Sequence, residues 1–89
     1  MTDHGNVLDD PQMEGWTAHN TGGNCMAARL DLGNGCEALI VEGANAIPFD
    51  INSDCSLGLY DENGSRAIFG CGSVLFALAI VKAYQPGEE

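Results

Sequence analysis

Two Asn-Gly pairs, each lying between runs of alternating apolar and polar residues, constrain the fold more than any other feature of the chain. Asn34-Gly35 separates CMAARLDL from CEALIVE, and Asn63-Gly64 separates LGLYDE from SRAIFG. Asn and Gly suit the two central positions of a type I′ turn, where φ is positive, so each pair predicts a two-residue hairpin loop. The sequence therefore predicts two hairpins and a mostly antiparallel sheet.

A two-residue loop also fixes which residues face each other across a hairpin. In the first hairpin, Leu30 is predicted to face Leu39, and Ala28 to face Val41. The candidate core face then holds six residues: Met26, Ala28, Leu30, Leu32, Leu39 and Val41. The other face holds four: Arg29, Asp31, Ala38 and Ile40.

The second hairpin follows the same logic. Its two-residue loop predicts that Asp61 faces Arg66, an opposite-charge pair worth a few tenths of a kcal/mol. Leu59 is predicted to face Ile68 on one side of the strands.

A helix is predicted at the end of the chain, over SVLFALAIVKAYQ. Ser73 is a good N-cap, Lys82 suits the C-terminal end of the helix dipole, and Pro86 stops the helix. A buried strand over 74–84 is the alternative. Together with a short strand at GWTAHNT, the pattern predicts an α+β fold, in which one C-terminal helix packs on a four- to five-stranded sheet. We expect a polar tail at 1–14, one domain at 15–86 and an acidic tail at 87–89.

The charge balance excludes whole classes of partner. Thirteen Asp and Glu residues against three Lys and Arg residues give a formal net charge of -10. Such a chain repels nucleic acids and anionic membranes, and three cations cannot supply a phosphate-contact surface. We therefore expect no direct binding to nucleic acid or to a membrane, and a preference for basic partners.

One stretch partly matches a calcium loop. Asp50, Asn52 and Asp54 occupy the first three ligand positions, but Cys55 stands where that loop needs Gly, and Asp61 where it needs Glu. A solvated turn, whose side chains bond to the nearby backbone, is the favoured interpretation.

No other pattern indicates catalysis or a cofactor. The chain has four cysteines: Cys25, Cys36, Cys55 and Cys71. They lie too far apart in the sequence for a paired zinc motif, and we interpret them as small apolar residues. Four cysteines are also enough for two disulfides. A nucleophilic pair of His19 with Cys25 or Cys36 has no evident third residue to orient it. We predict that the protein is not an enzyme and binds no metal or cofactor.

The first residues, MTDHGNVLDDPQ, have neither the basic start nor the apolar run of a secretory signal. The longest apolar run, residues 74–81, is too short to span a bilayer. We therefore expect the protein in the cytoplasm of a host cell, with its cysteines reduced.

Seven carboxylates form the candidate partner-binding surface and are expected to cluster at the turn ends of the two hairpins: Asp31, Glu37, Glu42, Asp50, Asp54, Asp61 and Glu62. If the hairpins lie side by side, Asp31 and Glu37 approach Asp61 and Glu62. Such a rim can meet a groove lined with Lys and Arg, because complementary charge speeds association and sets specificity.

Three stretches look like parts of small proteins encoded by phages and mobile elements: W-x-A-x-N-T-G-G-N-C at 16–25, LIVEG at 39–43 and LGLYDENG at 57–64. In size and acidity the chain also resembles anti-CRISPR and anti-restriction inhibitors. The resemblance implies a non-enzymatic inhibitor that blocks the basic groove of a host nucleic-acid-binding complex, in part as a nucleic-acid mimic. The alternative is a structural or assembly protein that self-associates as a homodimer through Leu75, Leu78 and Val81.

Overall fold

Five strands and one helix make up the fold in a computed structural model, which describes residues 6–23, 25–33, 35–43, 46–64 and 66–84. The strands form one sheet in chain order, each antiparallel to the next. They are β1 (Thr17–Gly22), β2 (Cys25–Gly33), β3 (Cys36–Val41), β4 (Cys55–Tyr60) and β5 (Arg66–Cys71). Helix α1 (Val74–Ala83) follows β5 and contacts β3, β4 and β5. The predicted α+β fold is confirmed.

The C-terminal segment is a helix rather than a buried strand. Its first turn is capped by Ser73, whose Oγ accepts a hydrogen bond of 3.1 Å from the N–H of Phe76. Val74, Ala77 and Val81 are buried, which is the spacing of one helical face against the sheet. No helix among the described residues is long and apolar enough to cross a membrane.

The first hairpin differs from its predicted register by one residue. Leu30 faces Ala38 instead of Leu39. The pairing shifts between Asp31 and Gly33, so the strand carries an extra residue there, as a β-bulge does. The prediction assumed an unbroken ladder up to the turn, and Asn34 itself lies outside the described residues.

This slip exchanges the two faces of β3, because side chains alternate along a strand. Ala28 faces Ile40 instead of Val41. Ala38 and Ile40, predicted on the outer face, are fully buried in the core. Leu39 and Val41, predicted in the core, lie half-buried on the opposite face.

The second hairpin also has a different register. Arg66 faces Tyr60 instead of Asp61, and Ile68 does not face Leu59. The predicted Asp61–Arg66 cross-strand pairing is therefore wrong. Strand β4 ends before Asp61, which belongs to the connection instead of the ladder.

The hydrogen bonds of Asp61 explain why the connection between β4 and β5 is longer than the predicted two-residue loop. Its carbonyl accepts a hydrogen bond of 3.0 Å from the N–H of Gly64, and its Oδ1 accepts one of 2.9 Å from the N–H of Asn63. An Asp that bonds to the backbone two residues ahead favours a turn over a strand. The turn therefore begins at Asp61, earlier than a two-residue loop would place it.

Residues 6–14 belong to the folded unit, which corrects the predicted polar tail. They form two short 3₁₀ helices, Val7–Asp9 and Pro11–Met13. Val7 and Met13 are almost fully buried, and the N–H of Val7 donates to the carbonyl of Pro48 at 2.9 Å. The remainder of that predicted tail, 1–5, and the predicted acidic tail, 87–89, lie outside the described residues.

The core therefore fills the space between one face of the sheet, α1 and the N-terminal segment. Its largest fully buried side chains are Met13, Ile40, Leu57, Val7, Val74 and Pro48. The other face of the sheet has no helix on it among the described elements. A shallow hollow of about 310 Å³ lies there, lined by Leu39, Val41, Tyr60 and Ile68 among others.

Candidate functional site

The turns of the two hairpins meet at one end of the sheet, which we call the turn end and define by Asp31, Glu37, Asp61 and Glu62. Strands β2 and β4 both run toward this end, because neighbouring strands are antiparallel. The contact is close: a Cβ placed on Gly35 would lie 2.6 Å from the Cβ of Glu62. The structure thus brings together these four predicted residues.

The chain's cations lie toward this same end. The Nε of Arg29 donates a hydrogen bond to Oε1 of Glu37, forming an ion pair. Arg66 faces Tyr60 and lines a small hollow together with Asp61. Lys82, in the last turn of α1, lines a groove whose other members come from α1 itself, from β2 and from the N-terminal segment. The carboxylates of the turn end are therefore partly neutralised.

The other three predicted residues lie at the opposite end of the sheet, which we call the loop end and define by Glu42, Asp50 and Asp54. Glu42 directly follows β3, and Asp54 directly precedes β4. A six-residue strand separates the two ends by roughly 20 Å, given a rise of about 3.3 Å per residue. The expectation that all seven carboxylates share the hairpin turns is wrong for these three.

The loop end also presents an aromatic side chain, Phe49, which is 57% exposed. Its N–H donates to Oε1 of Glu42 at 3.1 Å, and the preceding Pro48 is buried. The exposed ring is therefore carried by a backbone that hydrogen bonds hold at Phe49 and at Asp50.

Residues 50–53 form a turn whose side chains bond to the nearby backbone, which is the structure that the sequence favoured over a calcium loop. Oδ1 of Asp50 accepts a hydrogen bond of 2.9 Å from the N–H of Asn52, and the N–H of Asp50 donates to Oγ of Ser53 at 3.2 Å. These oxygens bond to the local backbone. Within the described ranges, no group of three or more His, Cys, Asp and Glu side chains is placed to hold a metal ion.

The cysteines occupy strand positions, as expected for small apolar residues. Cys36, Cys55 and Cys71 are buried, and Cys25 is half-buried. Burial, followed by the neighbouring Cys71 and the carboxylates of Asp54 and Glu42, raises the pKa of Cys55 to about 12. Such a thiol is protonated at neutral pH, so it is a poor catalytic nucleophile. His19 lies half-exposed on β1, whose outer edge is not paired within the described sheet.

The three predicted self-association residues all line one groove of about 550 Å³ between α1, Trp16 and β2. They differ in exposure. Leu75 is 41% exposed and Leu78 is half-buried, whereas Val81 packs in the core. Val81 is therefore not available to a partner, and Phe76, at 56% exposure, is the more accessible side chain of the helix.

The chain matches no protein-family model, no curated protein and no solved structure. Sequence reasoning missed Phe49, although an aromatic residue after a Pro and within an acidic stretch is a signal that could have identified it. It also missed the segregation of cations, which depends on how the strands and α1 are arranged.

Proposed function

We propose that this protein is a non-enzymatic inhibitor that docks through its loop end on a groove lined with Lys and Arg in a host nucleic-acid-binding complex. The observation that carries the proposal is that Glu42 accepts a hydrogen bond from the N–H of Phe49, whose ring is exposed, while Asp50 and Asp54 follow in the connection to β4. This end of the sheet is opposite to the one that holds the Arg29–Glu37 ion pair. In this proposal the protein acts in the host cytoplasm as an anti-CRISPR-like or anti-restriction-like inhibitor, and it binds its target through the loop end alone.

Each component has a physical task. The carboxylates attract a basic groove, accelerate association and select against acidic partners. An exposed aromatic ring buried on binding is a typical energetic anchor, because it removes a large apolar area from water. The hydrogen bonds of Glu42 and Asp50 to the backbone hold this surface in place before binding, which lowers the entropy cost of docking.

The experiment starts from the tagged protein in host lysate at low salt, with elution in salt steps and identification of released proteins by mass spectrometry. The captured complex is then purified, and its nucleic acid is tested as a competitor. We expect a nucleic-acid-handling complex that the protein and the nucleic acid bind in a mutually exclusive manner. Simultaneous binding of both would contradict the proposed block.

Two matched variants locate the surface. Asp54→Lys and Glu62→Lys make the same change in net charge at exposed residues of opposite ends. Asp54→Lys is expected to weaken binding about tenfold or more, and Glu62→Lys much less. Phe49→Ala should raise the dissociation rate at every salt concentration. Equal losses from the two charge reversals would show that net charge alone, and not the loop end, drives binding.

A second candidate, self-association through α1, is favoured by the exposure of Leu75 and Phe76. Phe69 lies on the helix side of the neighbouring β5 and is also partly exposed. This role predicts a salt-resistant dimer by light scattering that Phe76→Glu converts to a monomer. A wild-type monomer at high concentration would eliminate it.

A further inference from the structure

Cys55 and Cys71 are directly opposite each other on neighbouring strands β4 and β5. Both point to the core side of the sheet and are buried, with exposures of 7% and 5%. The sulfur of Cys55 lies 3.8 Å from the carbonyl oxygen of Ser73, and that of Cys71 lies 3.9 Å from the carbonyl oxygen of Phe69. Each thiol also affects the pKa of the other.

This placement meets the geometric requirement of a disulfide. Facing residues of an antiparallel pair have Cα atoms about 4.5–5.5 Å apart, and disulfides span Cα separations of about 4.4–6.8 Å. The Cβ atoms of such a pair are about 4.5–5.5 Å apart and need to approach by up to about 1.7 Å to reach the mean separation in a disulfide, about 3.8 Å. Strand β5 has room for that movement, because only β4 pairs with it in the described sheet.

Other cysteines of the chain are not arranged in this way. Cys25 faces Gly22 across β1 and β2, and Cys36 faces Gly33 across β2 and β3. The strand register therefore singles out one cysteine pair, which no feature of the sequence spacing identified.

We propose that Cys55 and Cys71 are a modification site, a dithiol that a small disulfide such as oxidised glutathione converts to an intramolecular disulfide joining β4 to β5. This inference is independent of the proposed function.

The reaction proceeds in two exchange steps. The Cys71 thiol loses its proton, and the thiolate attacks the oxidant's disulfide, forming a mixed disulfide and releasing one molecule of reduced glutathione. The Cys55 thiol then loses its proton and attacks the sulfur of Cys71, releasing the second molecule. The protein is oxidised by two electrons, and the oxidant is reduced to two thiols.

The local chemistry sets this order. A hydrogen bond from the Cys55 thiol lowers the pKa of Cys71 and so offsets part of the rise that burial causes. The same contact adds to the raised pKa of Cys55. Cys71 is therefore the first nucleophile, because it lies on the edge strand β5, whereas Cys55 lies on the inner strand β4 and has the more strongly raised pKa. Because both thiols are buried, reaction requires local opening of edge strand β5 and is slow.

The test incubates the full-length protein in mixtures of oxidised and reduced glutathione, followed by acid quench, alkylation with N-ethylmaleimide and peptide mapping by mass spectrometry. We expect one peptide pair linked through Cys55 and Cys71 and lighter by two hydrogens, while Cys25 and Cys36 carry the alkyl group. The linked fraction should rise with the ratio of oxidised to reduced glutathione.

Matched variants distinguish this pairing from nonspecific oxidation. Cys55→Ala and Cys71→Ala should each abolish the linked peptide, and the Cys71→Ala variant should also lose the mixed disulfide. Cys36→Ala removes an equally buried thiol of β3 and should leave the linkage unchanged. A stable mixed disulfide at Cys71, linkage to Cys25 or Cys36, or full alkylation of all four cysteines in the folded protein would each overturn the proposal.

Discussion

The two ends of the sheet carry similar numbers of carboxylates and are nevertheless different surfaces. At the turn end, Glu37 is paired with Arg29, and Arg66 and Lys82 lie nearby. At the loop end, Glu42 accepts a hydrogen bond from the N–H of the exposed Phe49, and Asp50 and Asp54 follow in the connection to β4. An acidic composition alone therefore does not define a binding surface, because the arrangement of the few Arg and Lys side chains decides which carboxylates they pair with.

The ends also differ in how they are held. The turn end depends on a close contact between residues of two different hairpins, Gly35 and Glu62. The loop end depends on side chains that bond to the backbone nearby and on the buried pair formed by Cys55 and Cys71. Substitutions can therefore disturb one end and spare the other.

The largest expected effect is at the turn end. Gly35→Ala places a Cβ against Glu62 at a residue whose φ is 81°, and so adds a clash to backbone strain. We expect it to lower the free energy of unfolding by about 3 kcal/mol. Gly64→Ala is the control, since its φ is 86° but nothing lies within 4 Å of the new Cβ. Its cost should be about 1 kcal/mol, from strain alone.

Urea unfolding of both glycine variants measures this difference. Equal costs would mean that the contact between the two turns contributes nothing beyond the backbone conformation.

The next effect is a loss of stability at alkaline pH from the loop end. The pKa of Cys55 is raised from 9.0 in the unfolded chain to about 12 in the folded protein. Above 9.0 the unfolded state releases a proton that the folded state keeps, so stability falls until pH passes the folded value. We expect a loss of about 1 kcal/mol between about pH 8 and about pH 10.

Urea unfolding at several pH values measures this slope. Cys55→Ala should be flatter over the same interval, although its absolute stability differs. An identical slope in the variant would contradict the assignment to Cys55.

A smaller effect concerns the helix start at the loop end. Ser73→Ala removes the acceptor for the N–H of Phe76 and should cost about 1 kcal/mol or somewhat less. Ser73→Thr keeps a capping hydroxyl and should retain most of the stability. Thermal unfolding followed by circular dichroism compares the two, and an equal loss from both would exclude capping as the cause.

The smallest effect separates charge from stability at the turn end. Arg29→Met should cost only about 0.5 kcal/mol, because the ion pair with Glu37 is partly exposed to water. A double-mutant cycle with Glu37→Gln isolates the pair. A coupling of several kcal/mol would show that the turn end is held by this pair more than by the glycine contact.

The sequence predicted the elements of this fold better than their registers. Asn-Gly pairs and the Ser73 cap act locally, so both hairpins and α1 followed from short stretches. The bulge before Gly33 and the early turn at Asp61 depend on competition between side chains and the ladder, and each shifted the register by one residue.

The site was predictable only in part. The acidic residues were evident, and the meeting of Asp31 and Glu37 with Asp61 and Glu62 followed from placing the hairpins side by side. The position of Glu42, Asp50 and Asp54 at the opposite end of the sheet could be recognised only from the full strand order. The sequence did not predict the burial of Val7 and Met13, because isolated apolar residues within a polar segment form no periodic pattern.

Strand β5 has one further consequence, for colloidal behaviour. Its residues from Arg66 to Gly70 are exposed, and its outer edge is not paired within the described sheet. An exposed edge with Ile68 and Phe69 is a template for strand addition between molecules. The net charge of -10 opposes such stacking at neutral pH. As pH approaches the isoelectric point of about 4.1, that repulsion disappears, and we expect fibrous aggregation to begin along this edge.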